Sequence, residues 1–384
     1  MTAPENRQFY PALDGLRAIA FLLVFVQHYA SIPWGGLTGV NVFFVLSGFL
    51  ITGILFDSRE DAYRARNFYI RRALRIFPLY YAVFGILLLL TPLTHWHWSL
   101  LWLAWPLYLG NFLHFLSPAT VQPGSQQELG ADAHLLSPRL PGRPLYLGHF
   151  WSLCIEEQFY LFWPWVVFRI RSRRTLISIC LFFVLTVPVL RVLAQRVAPS
   201  WMLTAGLLNG FTFFQLDSLL LGGLIAMLWR GTNRDLLLLF GRVTAVFCAI
   251  TAAIYLAVTI HGTSPPWREL YSYPTWEYTG GLLFINIFAA SLILSVLEPG
   301  GWLYRLLCQP QLRWLGRISY GAYVLHDIPH TLYRRAIERI PVLAPHAGPF
   351  ATAFALFCTV AMASLSFRFL ETPFLNLKER WTRR

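Results

Sequence analysis

Residues 13–34, LDGLRAIAFLLVFVQHYASIPW, form the first apolar stretch of the chain, and inside it stand an arginine, Arg17, and a histidine, His28. The stretch is long enough to cross a bilayer as a helix, since a hydrocarbon core of about 30 Å needs roughly 20 apolar residues. At a helical rise of about 1.5 Å per residue, Arg17 and His28 stand roughly 16 Å apart, about half the hydrocarbon thickness. Ionisable groups at such depth are costly unless a bundle interior or a water-filled cavity receives them, so each marks a candidate functional site. The plainer alternative is that Arg17 snorkels to the nearer interface and His28 packs as a satisfied polar group.

The rest of the chain extends this pattern. Of 384 residues, 56% are hydrophobic and 13% charged, with 15 Trp, 17 Tyr and 31 Phe. Soluble domains carry about 25% charged residues, so the composition predicts an all-α polytopic membrane bundle. Apolar runs of spanning length occupy 12–34, 39–56, 77–94, 150–168, 175–195, 205–229, 241–260, 277–297, 318–338 and 348–370. An eleventh, 95–116, is ambiguous. Basic residues collect in short cytoplasmic loops, and this decides the parity. If 95–116 does not cross, 23 of the 31 basic residues fall on one side, including the cluster Arg59, Arg64, Arg66, Arg71, Arg72 and Arg75 and the C-terminal run. We therefore expect HWHWSLLWLAWPLYLG to be interfacial or re-entrant, and about ten spans with both termini cytoplasmic. The net charge of +13 then reports topology and attraction to anionic lipid, and needs no nucleic acid to explain it.

No cleavable signal peptide is expected, because the first apolar segment carries Arg17 and leads directly into a second span. The five cysteines lack paired spacing and read as small apolar fillers, and no metal constellation appears. The longest extramembrane piece, 117–148, is rich in Pro and Gly and is expected outside the cell as a long loop of a single 1–384 domain.

Few polar groups remain at membrane depth: Asn41, Ser47, Glu156, Glu157, Asp217, His326, Asp327 and Glu371. Glu156 and Glu157 begin the fourth span at the depth of His28, and a carboxylate beside an imidazole is a familiar base arrangement. The alternative is that both glutamates face interfacial water. Arg72 and Arg75, three residues apart, share a helix face at the cytoplasmic end of the third span, where guanidinium forks suit phosphates. The positive-inside rule alone accounts for them equally well. Asp217 is an acid in apolar surroundings that must find a donor inside the bundle. Gly222 and Gly223 beside it permit close helix packing. His326 and Asp327 lie about two turns into the ninth span and can face the same cavity or serve the core.

The motifs YPALDGLRAIAFLLVFVQHYA, GVNVFFVLSGFLITGIL, FYIRRALRIFPLYY, FWSLCIEEQFYLFWP, LDSLLLGGLIA, ISYGAYVLHDIP and FLETPF occur in that order over residues 10–375. Together they resemble the membrane-bound acyltransferase 3 family, in its stand-alone form without a soluble hydrolase-like domain. The resemblance implies a ten-helix membrane domain that moves an acyl group, commonly acetyl, from cytoplasmic acyl-CoA to a hydroxyl of a glycan, lipid-linked sugar or secondary metabolite. The family's first-helix arginine and histidine match Arg17 and His28, its arginine pair matches Arg72 and Arg75, and its acid after WSL matches Glu156. Asn41 and Gln215 stand where relatives often have Asp and Arg.

Joined to the residue reading, the resemblance implies the following site. Arg72 and Arg75 hold the phosphates of acyl-CoA, a co-substrate and not a resident cofactor, and Arg17 lies along its arm. His28 acts as general base or transient acyl carrier, with Glu156 orienting it. Asp217, His326, Glu157 and Tyr320 support substrate binding. The rival reading is a transporter or exporter of a small anion with Arg17, His28 and Glu156 along its path.

Overall fold

The computed structural model describes residues 9–30, 35–94, 100–115, 139–140, 143–144, 147–198, 206–231, 233–261 and 280–382. The long apolar runs become helices because a chain in lipid must satisfy every backbone N–H and C=O within the segment. In chain order these are α1 (Pro11–Ala30), α2 (Gly35–Asp57), α3 (Arg64–Thr94), α4 (Trp151–Arg169), α5 (Arg173–Val197), α6 (Leu216–Trp229), α7 (Arg234–His261) and α8 (Gly280–Ser295). Shorter helices follow as α9 (Gly301–Leu307), α10 (Pro310–Arg317), α11 (Ser319–Leu325) and α12 (His330–Glu338), before the long α13 (Ala347–Ser366). The sole strand pairing among the described residues joins Arg139–Leu140 to Arg143–Pro144.

Among the described residues, seven helical segments are long and apolar enough to cross a membrane: Pro11–Ala30, Leu37–Asp57, Arg64–Pro92, Arg173–Val197, Thr212–Trp229, Arg234–Ala253 and Ala344–Trp381. The other three expected spans differ from these in instructive ways. Residues 150–168 do form a helix, α4, but Glu156, Glu157 and Gln158 interrupt its apolar run. Residues 277–297 contain the shorter apolar helix α8. The ninth, 318–338, is not one helix. It breaks after Leu325 and resumes at His330, because Pro329 has no N–H to donate to the carbonyl four residues back and its ring crowds that carbonyl.

The ambiguous segment 95–116 appears, from residue 100, as two 3-10 turns, Leu100–Ala104 and Gly110–Phe115. A continuous spanning α-helix is absent there. Tyr80 of α3 donates to the carbonyl of Trp105 at 2.6 Å and stacks on Tyr108 at 4.3 Å, which fixes the turn against the bundle. Gln158 of α4 donates to the carbonyl of Tyr108 at 2.7 Å, and Tyr108 holds the left-handed φ of 57°. Most of the expected outer loop 117–148 lies outside the described residues.

The core of the bundle is the crossing of α2 and α6. A Cβ on Gly48 would collide with the carbonyl oxygen of Leu219, and one on Gly222 with that of Val45. Each glycine removes the atom that would hold the two backbones apart. Gly223 faces Thr52 in the same contact. This close crossing sets Ser47 of α2 at a fixed height opposite α4.

Candidate active site

Two cavities meet at a set of arginines. The wider one, about 1240 Å³, opens at the end of the bundle where α3 begins, and Arg17, Arg64, Arg72, Arg75, Arg317 and Lys378 are among its lining residues. The inner one, about 870 Å³, shares Arg17, Arg72 and Arg75 with it and runs inward between α2, α4 and α11. Its walls alternate aromatic and aliphatic groups such as Val40, Phe43, Phe44, Leu50 and Ile76 with the acids Glu156 and Glu157 and the phenol of Tyr320. A concave, mostly apolar chamber with a few convergent polar groups is the usual form of a ligand site.

At the shared neck, Arg17 pairs with Asp14 one turn earlier at 3.2 Å. Its side chain therefore points along the cavity wall, where a guanidinium can meet both chambers. Arg72 lies over the ring of Tyr160 at 5.1 Å, and Arg75 donates to the carbonyl of Arg317 at 3.3 Å. Tyr320 donates its hydroxyl to the carbonyl of Ile76 at 2.7 Å, so it props α11 against α3 while lining the chamber. Glu371 is buried nearby, turned inward by the wide π turn Phe367–Glu371, and accepts from Ser366 at 3.3 Å.

Glu156 is not the partner of His28. Its Oε1 accepts from Ser47 at 2.5 Å, and Ser47 in turn accepts from Tyr160 at 2.9 Å. α4 turns this carboxylate into the chamber, which it lines together with Arg17 and Arg72. The carboxylate that faces His28 belongs to Asp327, whose Oδ2 lies 3.2 Å from His28 Nδ1. His149 Nδ1 stands 3.7 Å from the same oxygen, and His330 Nδ1 stands 3.4 Å from Oδ1. The ring of His326 meets that of His28 edge-on at 5.0 Å and that of His149 at 4.9 Å.

The broken helix builds this cluster. A helix that ends at Leu325 leaves its last carbonyls without backbone donors, and those groups must be satisfied by something else. His326 gives Nδ1–H to the carbonyl of Tyr323 at 2.7 Å, and His149 gives Nε2–H to that of Val324 at 3.1 Å. Tyr29 of α1 donates to the carbonyl of His326 at 2.6 Å and packs against His330 at 4.4 Å, tying the end of α1 to the break.

Between the inner cavity and the cluster stands one thin partition. Ser152 and Tyr323 both line the cavity; their hydroxyls are 2.5 Å apart, so one donates to the other, and the carbonyl of His149, 3.3 Å from Ser152 Oγ and 3.0 Å from Tyr323 Oη, accepts from the second. The arginine neck therefore leads to the underside of the imidazole cluster.

Asp217 is placed elsewhere. Arg191, fully buried in α5, donates to its Oδ1, and Asn286 of α8 donates to its Oδ2 at 3.1 Å. It lines neither cavity. Asn41 is buried and donates to its own helix at Leu37, and Gln215 donates to the carbonyl of Asn209. The sequence reading missed His149, His330 and Arg191. His149 and His330 lie next to quoted motifs, and Arg191 is a lone cation inside the apolar run 175–195.

Residues 10–365 match the acyltransferase domain family. The chain is 28% identical to the peptidoglycan O-acetyltransferase OatA of Listeria monocytogenes, over 97% of this chain and 57% of that protein. It is also 28% identical to YrhL of Bacillus subtilis, named provisionally as a peptidoglycan O-acetyltransferase, over 96% of this chain and 55% of that protein. The chain thus spans somewhat over half the length of the curated relatives it matches. No solved structure matches it. A match across nearly the whole chain, on a helical bundle with spanning helices, places this protein in the acyltransferase 3 family of membrane acyltransferases.

Proposed function

We propose that the chain is a membrane O-acyltransferase that moves an acyl group, most simply acetyl, from cytoplasmic acyl-CoA to a hydroxyl presented at the outer side of a bacterial cytoplasmic membrane. The observation that carries this reading is the continuity of the two cavities: a cationic mouth, an apolar chamber, and a His–Asp pair behind a two-hydroxyl partition. The phosphates of CoA suit the mouth, where Arg72 and Arg75 supply fixed guanidinium forks and Arg17 guards the neck. The bias of basic residues supports a cytoplasmic mouth, as expected for a bundle of about ten crossings with both termini inside.

Asp327 holds His28 through Nδ1, which leaves Nε2 as the basic nitrogen, the logic of an imidazole oriented by a buried carboxylate. As the acceptor oxygen forms its bond to the thioester carbonyl carbon, its proton passes to Nε2, the C–S bond breaks, and the CoA thiolate takes up a proton from solvent while Nε2 returns its own to solvent, which regenerates the base. Such a positioned base contributes about 10²–10⁴-fold. Glu156 and Glu157 line the chamber that the acyl arm crosses, and His326 packs against the base. The names of the relatives favour a glycan hydroxyl of the peptidoglycan class as acceptor.

The test is transfer of label from acetyl-CoA to glycan fragments by proteoliposomes of the purified chain. Covalent transfer that His28→Ala removes at equal protein level is the expected result. Passage of a small anion across the vesicle without covalent transfer would overturn the enzyme in favour of a carrier.

A further inference from the structure

Asp327 is 1% exposed and stands where the rings of His28, His149 and His330 converge. A carbonyl only accepts hydrogen bonds, so the ring nitrogens bound to Tyr323 and Val324 must carry the hydrogens. In neutral rings that leaves lone pairs on His326 Nε2 and His149 Nδ1. His326 is fully buried, and its Nε2 has no hydrogen-bond partner among the described residues. His149 Nδ1 is directed at Asp327 Oδ2. A lone pair facing a carboxylate is repelled unless a cation lies between them.

The same pattern, one ring nitrogen fixed by a backbone carbonyl and the other turned inward, is the outer support of metal-binding histidines. The donor atoms of His28, His326 and Asp327 all lie within 4.8 Å of one another. Tetrahedral zinc with bonds of about 2.0–2.2 Å sets neighbouring donors roughly 3.3–3.5 Å apart. The separations of 3.2 Å from His28 and 3.7 Å from His149 to Asp327 bracket that value. Imidazole nitrogens with one carboxylate oxygen select zinc-like ions over magnesium or calcium, which require mostly oxygen donors.

We propose that His28, His326 and Asp327, with His149 beside them, form a binding site for one divalent cation of the zinc class. A cation there would engage His28 at Nδ1 and neutralise Asp327, and so withdraw the base. That consequence rests on the function proposed above, whereas the binding does not.

The experiment uses the full chain in detergent, stripped with a chelator and titrated with Zn²⁺ alone and then Co²⁺ alone. We expect one ion per chain and the intense visible absorption of tetrahedral cobalt. His326→Gln and Asp327→Asn should each weaken binding by about tenfold or more. Gel filtration and thermal melting report whether each variant is folded. Wild-type binding no tighter than that of a folded Asp327→Asn chain would overturn the site. If neither variant folds, the wild-type cobalt spectrum decides, and a spectrum like that of the hydrated ion overturns it. Tight binding by a chain that shows no acetyl transfer even when metal-free would uphold the site and remove the enzymatic reading.

Discussion

Asp217 and Asp327 are both buried carboxylates in one bundle, and their surroundings are opposite. Asp217 has both oxygens committed, one to the Arg191 guanidinium and one to Asn286 at 3.1 Å, and it lines neither of the two cavities. Asp327 faces imidazoles at 3.2 to 3.7 Å, and no guanidinium or amide among the described residues is bonded to either oxygen. It also stands directly behind a chamber wall. A saturated pair of charges is a strut. An under-saturated acid beside titratable rings is a place where protons or cations come and go, and buried polar groups left short of partners are where function concentrates.

The strongest way to break this comparison is at the imidazole side. His28→Ala should lower acyl transfer by about 10²–10⁴-fold at an unchanged melting temperature, and a smaller loss would remove the base role. At the strut side the effect should be of another kind. Arg191→Met leaves Asp217 as an uncompensated buried charge, which costs about 3–5 kcal/mol and should appear as lost protein level and melting temperature. Activity per folded molecule should stay near wild type, and the double variant Arg191→Met with Asp217→Leu should recover most of the stability. A fall in activity per folded molecule would make Asp217 more than a strut.

Smaller effects sharpen the assignment of the two ends of the cavity. Arg72→Ala should raise the apparent KM for acyl-CoA by about 10–100-fold, the worth of one lost charge-assisted contact, with a smaller change in kcat. An unchanged KM would mean that the arginine pair serves topology alone. Ser47→Ala removes the hydroxyl that holds Glu156 and should cost about 1 kcal/mol, a roughly fivefold loss in kcat/KM. No loss at all would separate Glu156 from the acyl path.

Much of this was legible in the sequence because helices in lipid are local objects. The apolar runs located the spanning helices, and the Trp-rich 95–116 segment was readable as something other than a span. Gly222 was readable as a packing contact, though the second glycine of the crossing, Gly48 of α2, was not. Pairings between distant segments were hidden. Glu156 was expected at the depth of His28, but it lines the chamber with Arg17 and Arg72, and it is Asp327, from the other end of the chain, that arrives at His28. Pro329 inside the ninth apolar run was a visible signal that this run breaks. Arg191 was visible as well, since Asp217 required a donor and no other arginine lies inside the run 175–195.

The absent N–H of Pro329 also governs where mutations will be felt. It ends α11, and the carbonyls so released choose which nitrogen of His326 and His149 bears the hydrogen. The tautomers are thus inherited from the main chain, and no side chain in the cluster can restore them alone. A saturation screen for inactive clones should therefore score Pro329, which has no chemistry of its own, alongside the histidines it serves.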